Sequence, residues 1–234
     1  MAQSVTVERQ GPVSVITMDD GKANALSFDI LTGVTEALAA ADEDPEIAAA
    51  VVAGRPGRFC AGFDLEVVRG GSKQDRVNLV AGGGDLVRLA YRSGIPVVAA
   101  CTGHAVAAGA LFLLGCDHRI GPQEPGTKIG LNEVAIGLSL PDWALTIAGE
   151  RLAKRHLQMS VANSRIYDGP GAVDAGFLDE VVPGDEVVNR SIARATELAE
   201  SLDPRSYAHT IGAIRGQVVA TMADQLAEDR RRLS

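Results

Sequence analysis

SGIPVVAACTGHAVAAGALFLLGC, residues 93–116, is a run of 24 residues without Asp, Glu, Lys or Arg. About 20 apolar residues suffice to span a bilayer. Gly94, Pro96, Gly103, His104, Gly109 and Gly115, however, would break or weaken one continuous helix. A buried strand over Ile95–Cys101, a glycine turn over Gly103–Gly109 and a buried helix over Ala110–Leu114 account for it better. A short strand, Arg119-Ile120-Gly121, follows. Strand, helix and strand in that order imply parallel strands joined by right-handed crossovers.

Upstream, Ile47–Ala53 is another continuous apolar run of strand length, closed by Gly54-Arg55-Pro56-Gly57. Val5, Val7, Val13, Val15 and Ile16 alternate with polar residues around Gly11-Pro12, the pattern of a hairpin. Asp19-Asp20-Gly21 turns the chain, and Ser27 caps a helix whose apolar positions Phe28, Leu31, Val34, Leu38 and Ala41 recur at helical spacing. A polar segment over Arg69–Arg76 precedes a helix around Val77–Tyr91. Gly82-Gly83-Gly84-Asp85 lacks a preceding strand and reads as a loop, not a phosphate cradle. From Pro141 onward the pattern is helical, interrupted by glycines over Asp168–Val182. The last two helices separate near Asp203-Pro204. The expected architecture is one α/β core over residues 1–182 and a helical region over 183–234.

The composition agrees. Of 234 residues, 46% are apolar but only 9 are aromatic, and 35 Ala stand beside 26 Gly. That mixture suits backbones packed closely and excludes a disordered or collagen-like chain. A folded chain of this length buries about 70% of its unfolded surface, so no disulfide or metal staple is needed. With 22 basic against 30 acidic residues, the net charge of −8 disfavours nucleic acid as a partner. Arg230-Arg231-Arg232 reads as a solvated helix end. Cys60, Cys101 and Cys116 are odd in number, lack metal-ligand spacing and read as reduced core thiols. Met1–Gln10 is polar and carries no signal-peptide pattern. The expectation is a soluble, cytoplasmic protein with no membrane partner.

Three clusters can carry chemistry. Arg58-Phe59-Cys60-Ala61-Gly62-Phe63-Asp64-Leu65 follows one buried strand, and Gly103-His104-Ala105-Val106-Ala107-Ala108-Gly109 follows another. Each places small residues and free N–H groups at the C-terminal end of a strand, where ligands bind in open α/β sheets. Two such N–H groups can converge on one oxygen, and the second turn opens a helix whose dipole favours negative charge. Ordinary backbone geometry explains either turn taken alone. The third cluster, Ile129–Leu138, sets Glu133 among apolar residues, where desolvation raises a carboxyl toward the range useful for proton transfer. A partly exposed glutamate at an element end is the plainer reading of Glu133 by itself.

Taken together and in this order, the clusters resemble the crotonase superfamily, the enoyl-CoA hydratase/isomerase family. The matching stretches are Lys22-Ala23-Asn24-Ala25-Leu26, Phe59–Leu65, Gly103–Asp117, Asn132–Gly137 and Ala172–Val182. The resemblance implies a spiral of repeated ββα units, with C-terminal helices that build homotrimers, often paired into homohexamers. It implies an acyl-CoA thioester as substrate, so coenzyme A arrives with the substrate, and neither a separate cofactor nor a metal is expected. Matched residue by residue, the oxyanion-hole donors fall on Phe63 and Ala108. Coenzyme A would lie along Lys22, Ala23, Phe63, Asp64 and Leu65.

The chain departs from the family's hydratases in one telling place. Hydration across C2=C3 uses two glutamates; Glu133 aligns with the second, while Leu111 stands where the first would be. An apolar side chain transfers no proton. Asp142 and, behind it, His104 are the candidates for a substitute acid, although Asp142 also reads as a helix-start residue and His104 as a structural histidine. One carboxylate suffices to move a double bond from C3 to C2, so the expectation is single-glutamate, isomerase-like proton transfer by Glu133. A hydratase using Asp142 and a non-catalytic acyl-CoA binding protein are the alternatives. Ser139 has no nucleophile elbow around it, and Trp143 reads as a pocket wall or core residue.

Overall fold

Val5–Gln10 (β1) and Val13–Met18 (β2) form the expected antiparallel hairpin, with Val5 opposite Met18 and Gly11 at φ 59° in the turn. The computed structural model describes residues 4–232. Met1–Gln3 of the polar N-terminal segment and the last two residues of the expected C-terminal region lie outside the described residues. Ser27 caps α1 (Phe28–Glu43), its hydroxyl accepting from the Ile30 amide at 3.3 Å.

Beyond β2 the sheet grows by parallel strands: β3 (Ala49–Ala53), β5 (Val97–Ala100), β7 (His118–Pro122) and β9 (Glu180–Val182), in the order β1-β2-β3-β5-β7-β9. β3 and β5 are buried throughout. Helices cover both faces of a parallel sheet, so its strands need no polar side, which is why they read as continuous apolar runs. A second sheet, not expected from the sequence, stacks β4 (Gly57–Cys60), β6 (Gly103–Val106) and β8 (Ile129–Gly130) in parallel. The expected turn over Gly103–Gly109 is therefore half strand. Strands of two to four residues are too short to display alternation, and their pairing partners, distant in sequence, decide them. The chain thus runs from a strand of the large sheet to one of the small sheet and then to helices, which is the crotonase-type ββα spiral.

Residues 93–116 divide into β5, β6 and α4 (Ala108–Gly115), and no helix among the described residues is long and apolar enough to cross a membrane. Cys60, Cys101 and Cys116 are all buried and free, and burial pushes each thiol up to about 12.

Two helical expectations are corrected. Gly82–Gly84 is not a loop but the middle of α3 (Lys73–Arg92), which follows α2 (Leu65–Gly70) and starts with a capping box between Ser72 and Asp75. The glycines are notches for neighbours: a Cβ at position 82 would meet Leu31 at 2.6 Å, at 83 the Phe63 ring at 2.5 Å, and at 84 Leu226 and Trp143. Within the Asp168–Val182 interruption lies α7 (Gly169–Ala175), capped by Asp168 and ended by Gly176 at φ 94°.

The C-terminal half adds α5 (Asp142–Arg151), α6 (Lys154–Val161), α8 (Val187–Ser201) and α9 (Pro204–Arg231), the last two parting at Asp203-Pro204 as expected. α8 covers one face of the large sheet and forms a separate small core with β2, β3 and β5. α9 folds back on α3 and α5. It is tied there by Arg215, which is 7% exposed, donates to Asp117 Oδ1 at 2.7 Å and the Tyr91 carbonyl at 2.9 Å, and stacks over the Tyr91 ring.

Candidate active site

The first turn begins where β4 ends. Gly62 takes φ 90°, a conformation glycine adopts freely. The Leu26 amide donates to the Gly62 carbonyl at 2.8 Å and the Asp64 amide to the Leu26 carbonyl at 3.2 Å. This parallel bridge leaves the Phe63 N–H out of the pairing. Asp64 then caps α2, accepting from the Glu66 amide at 2.9 Å. Asn24, fully buried at φ 53°, holds the adjoining loop: its Nδ2 donates to the Met18 carbonyl at 2.8 Å and its Oδ1 accepts from the Asp20 amide at 3.0 Å. Lys22 and Ala23 sit on that loop, with the Lys22 carbonyl accepting from Arg55 at 2.7 Å.

The second turn is strained. Ala107 has φ 51° and ψ −125°, unusual for a residue with a Cβ, and its amide is pinned to the Gly130 carbonyl at 3.0 Å. Ala108 opens α4, and the first N–H groups of a helix have no acceptor within it. Gly109 lets α4 approach β4, since a Cβ there would collide with the Cys60 carbonyl oxygen. The two turns touch: a Cβ on Gly62 would lie 2.9 Å from the Ala107 Cβ and 3.6 Å from the Ala108 amide nitrogen. The unpaired amides of Phe63 and Ala108 therefore belong to abutting segments, as a paired-donor site requires.

The third cluster supplies a carboxylate. After β8 the chain passes Asn132 and Glu133 into a single 3₁₀ turn at Val134–Ile136, closed by Gly137 at φ 78°. Burial raises the Glu133 carboxyl above its ordinary value, against the opposing pull of the Glu133 and Asn132 backbone amides. Its Oε2 is buried without a hydrogen-bond partner, and so are Asn132 Oδ1 and Trp143 Nε1. All three residues line one cavity of about 520 Å³, together with Phe63, Ala107 and Leu111. Buried polar atoms are almost always satisfied, so three orphans around one cavity mark a place for a polar ligand.

Of the residues expected at the site, Phe63, Leu65 and Glu133 line this cavity, and Ala108 adjoins the lining residue Ala107. Lys22, Ala23 and Asp64 stand outside the lining, on the loop and cap beside the first turn. Leu111 lines the same cavity as Glu133 and is 2% exposed, so the position where a second acid was sought is apolar. Trp143 is both pocket wall and fully buried core. The two candidate substitute acids are not in the lining. Asp142 is exposed in the first turn of α5, the helix-start position anticipated as its alternative role. His104 belongs to a different cavity of about 690 Å³ with Arg58 and Thr102, and its Nδ1 accepts from the Lys128 amide at 3.0 Å. Burial, and then the charges of Arg58 and Lys128, lower the His104 pKa. Sequence reasoning missed Asn132 as a lining residue, and also Arg69 and Arg76. A basic side chain one helical turn before Val80 on the inward stripe of α3 was the available signal for Arg76.

The enoyl-CoA hydratase/isomerase family pattern matches residues 8–234, and the chain belongs to that family. It is 31% identical over 194 residues to mitochondrial enoyl-CoA delta isomerase 1 of Mus musculus, covering 80% of this chain and 66% of the mouse protein. The chain thus spans about two thirds of the length of that relative. Among solved structures it is similar to an enoyl-CoA isomerase of Mtb (TM-score 0.91, 33% identity, 98% of each chain). It is also similar to the enoyl-CoA hydratase EchA3 of Mycobacterium ulcerans (TM-score 0.93, 32% identity, 99% of this chain and 100% of that one).

Proposed function

We propose that this protein isomerises 3-enoyl-CoA thioesters to 2-enoyl-CoA thioesters with Glu133 as the only proton carrier. One observation carries the reading: among the described residues, Glu133 is the sole carboxylate lining a cavity that Leu111, at the position expected for a second acid, also lines. The Glu133 carboxylate takes a proton from C2, and the C2–H electrons move into the thioester carbonyl to give a dienolate. The Phe63 and Ala108 amides donate to the enolate oxygen. The carboxyl then returns its proton to C4, the double bond comes to rest between C2 and C3, and nothing is gained or lost overall. Each amide donor is worth about 3 kcal/mol of barrier, and a positioned base about 10²–10⁴ in rate. The raised Glu133 carboxyl suits both half-steps, because a group that must accept and release a proton works best near the ambient pH.

Coenzyme A lies along Lys22, Ala23, Phe63, Asp64 and Leu65 in this reading, arriving as part of the substrate. Leu65, Val134, Ile136 and Leu138 expose apolar side chains near the cavity, which suits coverage by a neighbouring copy in a trimer or hexamer. The relatives named enoyl-CoA delta isomerase support the same direction of chemistry.

The test is turnover of a 3-enoyl-CoA by wild type and Glu133→Gln, with crotonyl-CoA hydration followed in parallel. The expected result is isomerisation reduced at least about 10³-fold by the substitution and little hydration by either form. Undiminished turnover by Glu133→Gln sinks the proposal; tight acyl-CoA binding with no turnover by wild type replaces it with a binding protein.

A further inference from the structure

The cavity around Glu133 holds two guanidinium groups that proton transfer does not use. Arg69 lies in the last turn of α2 and Arg76 in the first turns of α3, and both line the cavity. Arg76 is half-buried; its Nη1 donates to the Gly71 carbonyl at 2.6 Å. Among the described residues, neither arginine has a carboxylate within ion-pair distance. The cavity they share with Glu133 is lined mostly by apolar residues, among them Val68, Val80, Leu111, Ile136 and Trp143. Arg69 is exposed and Arg76 half-buried, so both guanidinium groups remain available to an anionic ligand in the cavity.

The position of Arg76 says which part of a ligand reaches it. Arg76, Val80 and Pro141 also line an adjoining space of about 350 Å³ that extends toward Lys73, Asp229 and Arg232. Neither the turn residues Phe63 and Ala107 nor the segment assigned to coenzyme A borders that space. Arg76 thus stands where the cavity leaves the thioester end behind. An acyl chain anchored at Phe63 and Ala108 shares one cavity with Glu133 and Arg76, so its far end can meet Arg76.

We propose that the preferred acyl chain ends in a carboxylate held by Arg76, so that the substrate is a monothioester of an unsaturated dicarboxylic acid. This rests on the enoyl-CoA reading of the site. A guanidinium pairs with carboxylate through two parallel N–H donors, and a site built for that pair rejects a methyl end, which leaves the cation bare. The same groups would also attract a phosphate of coenzyme A, and the test separates the two sources.

The experiment compares 3-enoyl-CoA chains of equal length ending in carboxylate or methyl, with wild type, Arg76→Gln and Arg76→Lys. The same pair is prepared as pantetheine thioesters, which lack the nucleotide phosphates. The expected result is a preference for the carboxylate end of at least about tenfold in kcat/KM, seen with both carriers. Arg76→Gln erases that ratio, and Arg76→Lys restores part of it, which shows that charge and not folding is at issue. No preference in wild type overturns the proposal. So does a ratio unchanged by Arg76→Gln while KM rises only for the coenzyme A substrates, which would place Arg76 on a phosphate. Dissociation constants of the two saturated thioesters for wild type and Arg76→Gln read the same preference without chemistry. A binding preference without turnover therefore counts against the isomerase reading and for the carboxylate subsite.

Discussion

The ring of Phe63 occupies the space that a side chain at Gly83 would need, its Cε1 only 2.5 Å from where that Cβ would be. The middle of α3 therefore sets the position of the residue whose amide is assigned to the enolate oxygen. Gly83→Ala gains up to about 1 kcal/mol in helix propensity but overpacks the ring at a cost of about 1–3 kcal/mol. The expected outcome is a net loss of stability near 1 kcal/mol and a fall in kcat of about tenfold, measured by denaturant unfolding and steady-state kinetics. Adding Phe63→Leu should recover stability in the double variant. Additive losses in that cycle would mean that the two positions do not communicate.

Glu133 has a second signature, in pH. Its folded-state carboxyl is raised above the ordinary glutamate value by burial, so turnover should fall on acidification through a value above 4.5. Stability carries the opposite sign. The folded state favours the protonated form, so the Glu133 charge weighs against folding once pH rises past the unfolded value. Glu133→Gln should therefore be the more stable protein at pH 7, with the difference shrinking below pH 4.5. Thermal unfolding across that range checks it, and a pH-independent difference would contradict the burial argument.

His104 and Asp142 provide a negative control for the single-carboxylate scheme. Neither lines the Glu133 cavity. His104→Gln and Asp142→Asn should each leave isomerisation within about twofold of wild type. A loss of about 10² or more in either would restore a second acid to the mechanism.

The tie between Arg215 and Asp117 predicts a large stability effect far from the chemistry. Both side chains are largely buried, at 9% and 13% exposure, and 2.7 Å apart. Removing one partner leaves the other uncompensated, so Arg215→Met or Asp117→Asn should cost about 3–5 kcal/mol in unfolding free energy. The double change to apolar residues should cost less than either single one. Equal costs for all three would show that packing of α9, and not the charge pair, is what was lost.

What the sequence revealed depended on how far apart the deciding residues were. β3 and β5 were legible because burial on both faces writes itself as an unbroken apolar run. Ser27 and Asp203-Pro204 were legible because a cap or a proline acts within one turn. The small sheet was not legible, since Gly57–Cys60, Gly103–Val106 and Ile129–Gly130 are strands only by virtue of one another. Gly82–Gly84 misled for the same reason: local rules make three glycines a breaker, while Leu31, Phe63 and Leu226 make them a packing surface. At the site, the turns and Glu133 were visible as short motifs. The assignment of His104 and Glu133 to different cavities was not, because each cavity is assembled from residues far apart in the chain.

The glycine triplet also fixes an order of events. Each glycine inside a helix costs about 0.5–1 kcal/mol relative to alanine, so α3 has little tendency to form alone. Its notches are filled from positions 31, 63, 143 and 226, which span most of the chain. Loops that long must close before α3 gains anything from forming. The helix that lines the Glu133 cavity therefore depends for its stability on contacts made across most of the chain. Removing α9 would take away the Leu226 side chain that fills the Gly84 notch, and with it part of the support of the cavity wall.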